Sequence, residues 1–344
     1  MRAFSLSISY PLLFLATCIL IGCQPPASRP TKINHGFYYW RSSFQLAPAE
    51  KNTLNDLAIQ QLYVKFFDVE WNQDTKQPQP IATIRFRDSI PATTVITPVV
   101  FITNETLQQA DTGQVNTLAD NINKLLSSII RNNKLVVSNE VQIDCDWTQS
   151  TKEKYFALLQ YLKQQPVLQG KTLSATIRLH QLKFINQTGV PPAGKGLLMC
   201  YNMGNLRHPE TGNSIIETAE LDKYIKGLRD YPLHLDIALP LFDWYVWFSK
   251  TQYRGLFYPQ QLPHLPAGEK VTFAQDTVIN GYAFKAGDWL RYENSPMEVL
   301  EAAARRIQRQ LPATDRTILL YHLDEKVLSK YQNNEIKNLL ERFH

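Results

Sequence analysis

Two carboxylates that stand two positions apart are the first candidates for chemistry in this sequence. Asp144 and Asp146 alternate with apolar residues in the segment 140–147, which is rich in residues that favour strands. Because successive residues of a strand point to opposite faces, both carboxylates face the same side. Carboxyl groups held close together raise each other's pKa, so that one of them can stay protonated near neutral pH. The spacing therefore predicts a pair suited to general acid catalysis.

Polar residues occupy alternate positions in two further strand-like segments, as they do in the segment with Asp144 and Asp146. Arg178 and His180 alternate with apolar residues in one of them, and His234 and Asp236 do so in the other. Buried charges are unfavourable unless they are paired, so these groups need one another or a ligand. We expect Arg178, His180 and Asp236 to bind substrate beside the carboxylate pair. A structural network of salt bridges in the protein interior is the alternative.

Four more candidates lie at or just beyond the ends of strand-like segments. Tyr201 would orient a substrate or stack on it, and the alternative is a rim position with its hydroxyl in water. Trp40, Glu70 and Trp244 are candidate cleft residues, for which a solvated rim position is the alternative. With the carboxylate pair they predict a cleft at one end of the strands.

The segment that leads to Glu70 has conflicting phases. If Lys65 points to the interior, alternation turns Asp68 towards the outside of the sheet. Alternation alone does not decide which face carries Asp68, so Asp68 is a further candidate beside Glu70.

Eight apolar segments alternate with helix-like segments along the chain. The strand candidates are residues 36–41, 61–69, 94–102, 140–147, 173–180, 196–202, 233–240 and 316–323. Helices are predicted over residues 115–131, 151–163, 218–228, 297–311 and 325–343, with a capping box of Ser150 and Glu153 at the start of the second. This alternation predicts an α/β fold, a (β/α)8 TIM-type barrel. A doubly wound open sheet is the alternative, although no glycine-rich nucleotide-binding motif supports it.

One stretch interrupts this alternation. Residues 252–293 read as short strands and turns, and the run 279–282, Ile-Asn-Gly-Tyr, predicts a hairpin turn. We expect a β-rich insertion between the seventh strand and its helix. Insertions after barrel strands lie on the face where active sites form, so this one either lines the cleft or forms a small subdomain with no role in it.

Charge and cysteine content narrow the classes of function. The formal net charge of +5 comes from scattered residues with no basic run, so we expect no nucleic-acid partner. The sequence has no CxxC pair and no His/Cys cluster, and we expect no metal and no cofactor. A metal site of Asp144, Asp146 and His180 is the alternative. Cys145 and Cys200 are expected to be buried free thiols in a monomeric protein.

The amino-terminal residues have the pattern of a bacterial secretion signal. Arg2 precedes an apolar run over residues 10–22, which is shorter than the roughly 20 residues that a membrane-spanning helix needs. The run ends in Leu-Ile-Gly before Cys23, and this resembles the bacterial lipobox. The resemblance implies a signal peptide over residues 1–22 and lipid on Cys23, which holds the protein on a membrane. An ordinary signal peptide that contains a cysteine is the alternative.

The rest of the expected organisation follows from that cleavage. Residues 23–33, with three prolines and little apolar surface, predict an extended tether, and residues 34–344 form the barrel domain. Gln24 stands where an aspartate often retains such proteins at the inner membrane. By resemblance, the outer membrane of the bacterial envelope is therefore favoured.

The carboxylate strand resembles a known motif. The segment 141–147, Val-Gln-Ile-Asp-Cys-Asp-Trp, is similar to the DxxDxDxE strand of family-18 chitinase-like glycoside hydrolases, and residues 199–202, Met-Cys-Tyr-Asn, are similar to their sixth-strand tyrosine segment. Most of the mature chain also resembles an uncharacterised family of bacterial lipoproteins with such a barrel. Motif shapes typical of that family are Leu-Tyr-Val-Lys-Phe-Phe-Asp-Val (62–69) and Gln-Ile-Asp-Cys-Asp (142–146). Both resemblances imply a carbohydrate-shaped cleft.

The glutamate that donates the proton in the chitinase motif has no direct counterpart here. If Trp147 is aligned with the family tryptophan, Thr148 occupies the glutamate position, and threonine cannot act as a general acid. An alignment shifted by two residues makes Asp146 the donor, with Asp144 supporting it and Tyr201 orienting the substrate. We therefore expect a membrane-anchored barrel that cleaves or binds a polysaccharide. A non-catalytic envelope lipoprotein that binds a glycan or a partner protein is the alternative.

Overall fold

The structure is a computed structural model that describes residues 31–265 and 268–343. The predicted signal peptide, the predicted lipid-bearing Cys23 and residues 24–30 of the predicted tether lie outside the described residues. Within the described residues, no helix is long and apolar enough to cross a membrane.

Eight parallel strands form the centre of the fold. Each strand pairs with the next, and the first pairs with both the second and the eighth, so the sheet closes. The predicted (β/α)8 barrel is therefore confirmed, and the alternative of an open doubly wound sheet is wrong. In chain order the barrel strands are Ile33–Tyr39, Gln61–Asn72, Val95–Ile102, Glu140–Cys145, Thr172–Arg178, Lys195–Met199, Leu235–Pro240 and Arg316–Tyr321.

The barrel strands are buried on both faces, because helices cover the outside and side chains fill the inside. On the fourth strand, Val141 and Ile143 belong to the apolar core, whereas Gln142 accepts a hydrogen bond from the hydroxyl of Tyr38 on the first strand. The first and fourth strands are not neighbours, so this bond crosses the barrel interior. Gln142 and, by alternation, Asp144 therefore point inward, as their phase predicts.

A β-bulge in the second strand gives the orientation of Asp68. The pairing of this strand with the third shifts between Lys65 and Phe67, which leaves Phe66 as an extra residue. The extra residue changes the phase of alternation, so Lys65 and Asp68 point to the same side. Lys65 Nζ lies 2.8 Å from Asp68 Oδ2, and the two side chains form a buried ion pair.

Helices connect the strands and cover the barrel. Helix Thr112–Asn132 extends slightly beyond its predicted bounds and begins with a capping box. The predicted capping box at Ser150 is wrong, because Thr151 is the N-cap of helix Lys152–Lys163 and makes no side-chain capping bond. The other helices with nine or more residues in the described part of the chain are Pro48–Asp56, Met297–Gln310 and Asn333–Glu341.

Two predicted helices are interrupted. Residues 218–228 form the short helix Thr218–Leu221 and a 3-10 turn, and residues 325–343 divide into Glu325–Leu328 and Asn333–Glu341. In the second case a new capping box starts the later helix at Gln332. Shorter helical segments lie at Asn104–Gln109, Pro166–Leu168, Leu179–Lys183, Ile185–Thr188, Ile225–Gly227 and Pro259–Gln261.

A β-rich insertion follows the seventh strand, as predicted. It begins at Trp244, before the expected residue 252, because the segment Trp244–Ser249 joins its sheet. The predicted hairpin turn is present, and Asn280 and Gly281 both have positive φ (48° and 84°), as a tight turn of this kind requires. The strands of the main antiparallel sheet, in spatial order, are Gln252–Phe257, Trp244–Ser249, Asp288–Glu293 and Lys270–Thr272.

Short strands outside the barrel and the main insertion sheet complete the fold. They are Gln77–Ile81, which pairs with the second barrel strand, Ser43–Phe44 with Arg85–Phe86, and the hairpin of Thr277–Ile279 and Tyr282–Phe284.

Candidate functional site

The carboxyl ends of the barrel strands surround a cavity of about 190 Å³, here called the central cavity. In (β/α)8 barrels this end carries the catalytic and binding residues. The predicted site residues that the structure brings to it are Asp144, Asp146, Arg178, Tyr201, Trp40 and Trp244. The other lining residues are Phe101, Met199, Asn202, Phe242, Tyr258, Tyr321 and His322.

Asp144 is deeply buried beside this cavity, with 3% of its surface exposed. Thr176 Oγ1 donates a hydrogen bond of 2.6 Å to Asp144 Oδ1. Burial and the neighbouring Asp146 raise the pKa of Asp144 to about 7, although Arg178 and Thr176 act in the opposite direction. A large fraction of this carboxyl group is therefore protonated at neutral pH, which is the state that a general acid needs.

Asp146 differs from Asp144 because Arg178 binds its carboxylate at two points. Arg178 Nε lies 2.5 Å from Asp146 Oδ1, and Nη2 lies 2.9 Å from Oδ2. This two-point contact is a strong and specific geometry for an arginine and a carboxylate. Since both oxygens of Asp146 accept bonds from Arg178, the geometry favours Asp144 as a proton donor. This differs from the shifted motif alignment, in which Asp146 is the donor and Asp144 supports it.

Tyr201 lies inside the cleft end of the barrel, with 3% of its surface exposed. Its ring stacks on Tyr321 with centroids 5.4 Å apart, and the guanidinium of Arg178 lies 6.0 Å from its centroid. Burial raises the pKa of Tyr201 well above its usual value, so the hydroxyl keeps its proton and can donate it in a hydrogen bond. The alternative of a rim tyrosine with its hydroxyl in water is wrong.

Three buried polar atoms at the central cavity have no hydrogen-bond partner among the described residues. They are Tyr201 Oη, Arg178 Nη1 and His322 Nδ1. Buried polar groups in native proteins are nearly always hydrogen-bonded, so unpaired groups call for an explanation. Since all three side chains line one cavity, together they could bond a polar ligand bound there.

Two larger pockets adjoin the central cavity. The Arg41 pocket, of about 520 Å³, shares with it Trp40, Phe242, Tyr258, Tyr321 and His322. The His180 pocket, of about 400 Å³, shares with it Asp146, Arg178, Tyr201 and Asn202. Because each larger pocket shares side chains with the central cavity, both adjoin it, and the three spaces together are here called the cleft. Each larger pocket falls in the size range of small-molecule sites.

Aromatic rings form much of the wall of the cleft. The ring of Trp40 contacts Tyr321 at a centroid distance of 5.6 Å, and the ring of Trp244 contacts Phe242 at 5.1 Å. Trp244 is fixed further because its Nε1 donates a hydrogen bond of 2.7 Å to Glu293 Oε2. Rings held in place by such contacts offer preformed apolar surfaces to a ligand.

Asp236 does not belong to the cleft. Lys195, the first residue of the sixth strand, lies 2.6 Å from Asp236 Oδ2 and 2.7 Å from Glu140, the first residue of the fourth strand. Thr317 N donates to Asp236 Oδ1 at 2.7 Å, and His234 lies 3.6 Å from the same oxygen. Each of these residues precedes its strand or is the first or second residue in it, so they lie at the amino end of the barrel. The expectation that Asp236 binds substrate is wrong, and here the structural salt-bridge alternative is correct.

Two other predicted site residues differ in position from the expectation. The fifth strand ends at Arg178, so His180 is not in the barrel interior but is exposed on the short helix Leu179–Lys183, where it lines the His180 pocket. Glu70 is exposed near the end of the second strand, opposite Gln79, and it does not line the cleft. Glu70 therefore takes the rim position that was its alternative.

Thr148, at the glutamate position of the chitinase motif, makes local hydrogen bonds at the start of a helix. The Thr148 hydroxyl lies 2.9 Å from Ser150 Oγ and 3.4 Å from Thr151 Oγ1, at the start of helix Lys152–Lys163. It does not line the cleft. Thr148 therefore contributes no group to the site.

Phe101, Phe242 and Tyr258 are among the cleft residues that were not sequence candidates. Phe101 lies next to the end of the third strand, and the rule that identified Trp40 would have found it. Phe242 follows the seventh strand, and Tyr258 follows a strand of the insertion. Because Tyr258 lines the central cavity, the insertion contributes to the cleft and is not a subdomain apart from it.

The structure offers no support for a metal site in this region. Among the described residues, no group of three or more His, Cys, Asp and Glu side chains is arranged to hold a metal ion, and this includes Asp144, Asp146 and His180. Cys145 and Cys200 are buried free thiols, as predicted.

Comparison with known proteins gives similarity in fold and none in sequence. No family model and no curated protein matches the chain. A chitinase from Chromobacterium violaceum superposes with a TM-score of 0.53 and 10% identity, covering 90% of this chain and 98% of that one. The spore cortex-lytic enzyme SleL of Bacillus megaterium QM B1551 gives 0.54 and 12% identity, covering 92% of this chain and 75% of that one.

A third solved structure is a chitinase-like agglutinin from Robinia pseudoacacia. It gives a TM-score of 0.50 and 12% identity, and covers 90% of this chain and 99% of that one. At these identities the comparisons show the fold alone. The chain has a chitinase-like (β/α)8 barrel.

Proposed function

We propose that this protein binds a chitin-type polysaccharide in the cleft at the carboxyl end of its barrel. The observation that carries the proposal is that Tyr201, Arg178 and His322 all line one cavity, and each has a buried polar atom without a partner among the described residues. A sugar hydroxyl or acetamido group can both donate and accept hydrogen bonds, so it can form the bonds that these three atoms lack.

The shape of the cleft supports a chain of sugars as the ligand. The central cavity is too small for more than a limited part of a ligand, but two larger pockets adjoin it, and each shares a different set of its lining residues. Trp40 stands where the Arg41 pocket meets the central cavity, so a chain that crosses the cleft passes along an aromatic wall. The chitinase among the fold neighbours supports chitin oligosaccharides as the first ligands to test.

Calorimetric titration of the full-length protein with chitin hexasaccharide tests this proposal. We expect saturable binding that is weakened at least tenfold or so by Trp40→Ala, since truncating a central aromatic contact typically has an effect of this size. Tyr161→Ala, on the exposed face of helix Lys152–Lys163, is a matched control that leaves the affinity unchanged. Absence of binding, or equal effects of both substitutions, contradicts the proposal.

Hydrolysis of the bound chain is the second candidate function, and the pKa of Asp144 favours it. With a pKa of about 7, Asp144 can give its proton to the glycosidic oxygen as the bond from that oxygen to the anomeric carbon breaks. Water then supplies the hydroxyl to the anomeric carbon, and its proton restores the acid. The agglutinin among the fold neighbours supports the alternative, in which the same cleft binds without cleavage.

Release of reducing ends from chitin hexasaccharide separates these two possibilities. If Asp144 is the acid, we expect Asp144→Asn to reduce the rate roughly 10²- to 10⁴-fold, the range for loss of a general acid. Turnover that survives both Asp144→Asn and Asp146→Asn excludes the assignment. Tight binding without any reducing ends supports the non-catalytic form.

We also propose that lipid on Cys23 holds the protein on the outer membrane of a bacterial envelope. The lipobox-like run before Cys23 and the proline-containing segment after it support this. We expect the wild-type protein to partition into a detergent phase and the Cys23→Ser protein to stay in the aqueous phase. Equal partitioning of the two proteins contradicts the anchor, and sedimentation with inner-membrane fractions contradicts the location.

A further inference from the structure

Exposed tyrosine rings lead from the cleft onto the insertion. Tyr258 lines both the central cavity and the Arg41 pocket, and 51% of its surface is exposed. Tyr282, on the insertion hairpin, is 37% exposed. Gln261 lies between them, because it lines the Arg41 pocket and its Nε2 donates a hydrogen bond of 3.1 Å to Tyr282 Oη. Gln261 therefore links Tyr258 at the cleft with Tyr282 on the insertion hairpin.

Hydrogen bonds and packing hold the ring of Tyr282 and the backbone of Tyr258 in place. Asn280 Nδ2 donates a bond of 3.2 Å to the carbonyl oxygen of Gln261, and Tyr258 N donates one of 2.8 Å to Gln261 Oε1. The ring of Phe257 packs edge-on against Tyr282, with centroids 4.7 Å apart. A surface fixed in this way loses little conformational freedom when it binds a ligand.

The position of these rings is unusual for this surface. Four aromatic residues in the described part of the chain have more than a third of their surface exposed, and they are Tyr161, Phe184, Tyr258 and Tyr282. Half of them therefore lie together beside the mouth of the cleft. Single exposed aromatic residues need no explanation, but neighbouring ones that continue a binding cleft mark a contact surface.

We propose that Tyr258 and Tyr282 extend the cleft into a longer binding surface, which selects long polysaccharide chains over short ones. This inference rests on the proposed function and adds chain length to it. A disaccharide fits within the cleft and contacts only its lining, which includes Tyr258. A hexasaccharide that leaves the cleft through the Arg41 pocket also reaches Tyr282 on the hairpin.

Calorimetric titration of the full-length protein with chitin disaccharide and hexasaccharide tests this inference. We expect the hexasaccharide to bind at least about tenfold more tightly. Tyr282→Ala reduces this ratio several-fold and leaves disaccharide binding unchanged, whereas Tyr258→Ala weakens the binding of both. Tyr282→Phe keeps the ring and the ratio, and Tyr161→Ala changes neither affinity. Thermal unfolding of each variant shows whether it is folded, and we expect Tyr282→Ala to lower Tm only slightly, because it removes one surface contact with Phe257 and the bond from Gln261.

The possible outcomes separate the inference from the function on which it rests. If the disaccharide binds and Tyr282→Ala leaves the ratio unchanged, the inference is overturned and the proposed function stands. Equal affinity of the wild-type protein for both oligosaccharides has the same meaning. If neither oligosaccharide binds, the proposed function fails and the inference fails with it.

Discussion

Arg178 holds the carboxylate of Asp146 in a two-point ion pair, with Nε 2.5 Å from Oδ1 and Nη2 2.9 Å from Oδ2. Asp144 stands two residues earlier, within the fourth strand, and has no such contact with the guanidinium. Its nearest bond is the one from the Thr176 hydroxyl. The two aspartates therefore differ, although they are two residues apart. Asp146 is paired with a cation, and Asp144 has a raised pKa.

The first prediction concerns the electrostatic coupling around Asp144. We expect Arg178→Gln to raise the pKa of Asp144, because a neighbouring positive charge is lost. Asp146→Asn should lower it, because a neighbouring negative charge is lost. Carboxyl carbon resonances of labelled aspartate, followed by NMR through a pH titration, measure both shifts. Two shifts in the same direction are incompatible with this arrangement of charges.

The second prediction concerns stability and pH. The pKa of Asp144 is about 7 in the folded protein and near 3.8 without the fold, so between these values only the folded protein keeps the proton. Wild-type stability therefore loses a contribution as pH rises through this window. Asp144→Asn removes that loss and keeps an oxygen that can accept the bond from Thr176. Relative to the wild type, we expect the free energy of unfolding of the variant to increase by up to about 4 kcal/mol between pH 4 and pH 7.

Urea unfolding at several pH values measures this difference. The free energies of unfolding of the two proteins should diverge steadily from about pH 4 upward, as linkage requires. Parallel curves over the same window show that the pKa of Asp144 is not raised by the fold.

The third prediction separates a binding role of Tyr201 from a structural one. Its hydroxyl is buried without a partner, so Tyr201→Phe should leave the free energy of unfolding unchanged or raise it slightly. The same change should weaken the binding of chitin hexasaccharide about fivefold to tenfold, since a hydrogen bond to the sugar is lost. Calorimetric titration and urea unfolding of the same preparation give both values.

A matched control for this prediction is another buried tyrosine. The hydroxyl of Tyr63 donates a hydrogen bond of 2.9 Å to Glu140 at the amino end of the barrel. We expect Tyr63→Phe to lower the free energy of unfolding by about 1 kcal/mol and to leave glycan affinity unchanged. If Tyr201→Phe behaves like Tyr63→Phe, Tyr201 is a structural residue.

The fourth prediction concerns the network at the amino end. Although burial opposes its ionisation, hydrogen bonds from His234 and Lys195 hold the pKa of Asp236 below its usual value. Asp236→Asn should therefore lower the free energy of unfolding by about 2 kcal/mol at neutral pH, and the loss should shrink as pH falls below about 4. Glycan affinity should not change. Asp230→Asn, at an exposed residue, serves as the control. If Asp236→Asn weakens glycan affinity and the control does not, Asp236 takes part in binding.

Much of the fold was predictable because local pattern and global fold agree. Each barrel strand is a short apolar run, and each is buried on both faces, so length and composition were enough to find all eight. The phase of Asp144 was predictable for the same reason, since the fourth strand has no irregularity. The orientation of Asp68 in the second strand was not predictable, because the bulge at Phe66 depends on how this strand pairs with the third strand.

The site was predictable in part, and the errors share a physical cause. Alternation gives the face of a strand that a side chain occupies but not its height in the barrel. Asp144 and Asp236 both point inward, yet only the first stands near the carboxyl end. His180 was misplaced because the alternation of polar and apolar residues continues to His180, although the fifth strand ends at Arg178 and a short helix begins at Leu179. Tyr258 reaches the cleft through the tertiary contacts of the insertion, which no local pattern specifies.

The crystal structure of the complex with chitin hexasaccharide tests the central claim most directly. The account predicts sugar rings in the cleft, with hydrogen bonds from Tyr201 Oη and Arg178 Nη1 to one sugar unit in the central cavity. An empty cleft at saturating hexasaccharide, or sugar bound only elsewhere on the protein, contradicts it.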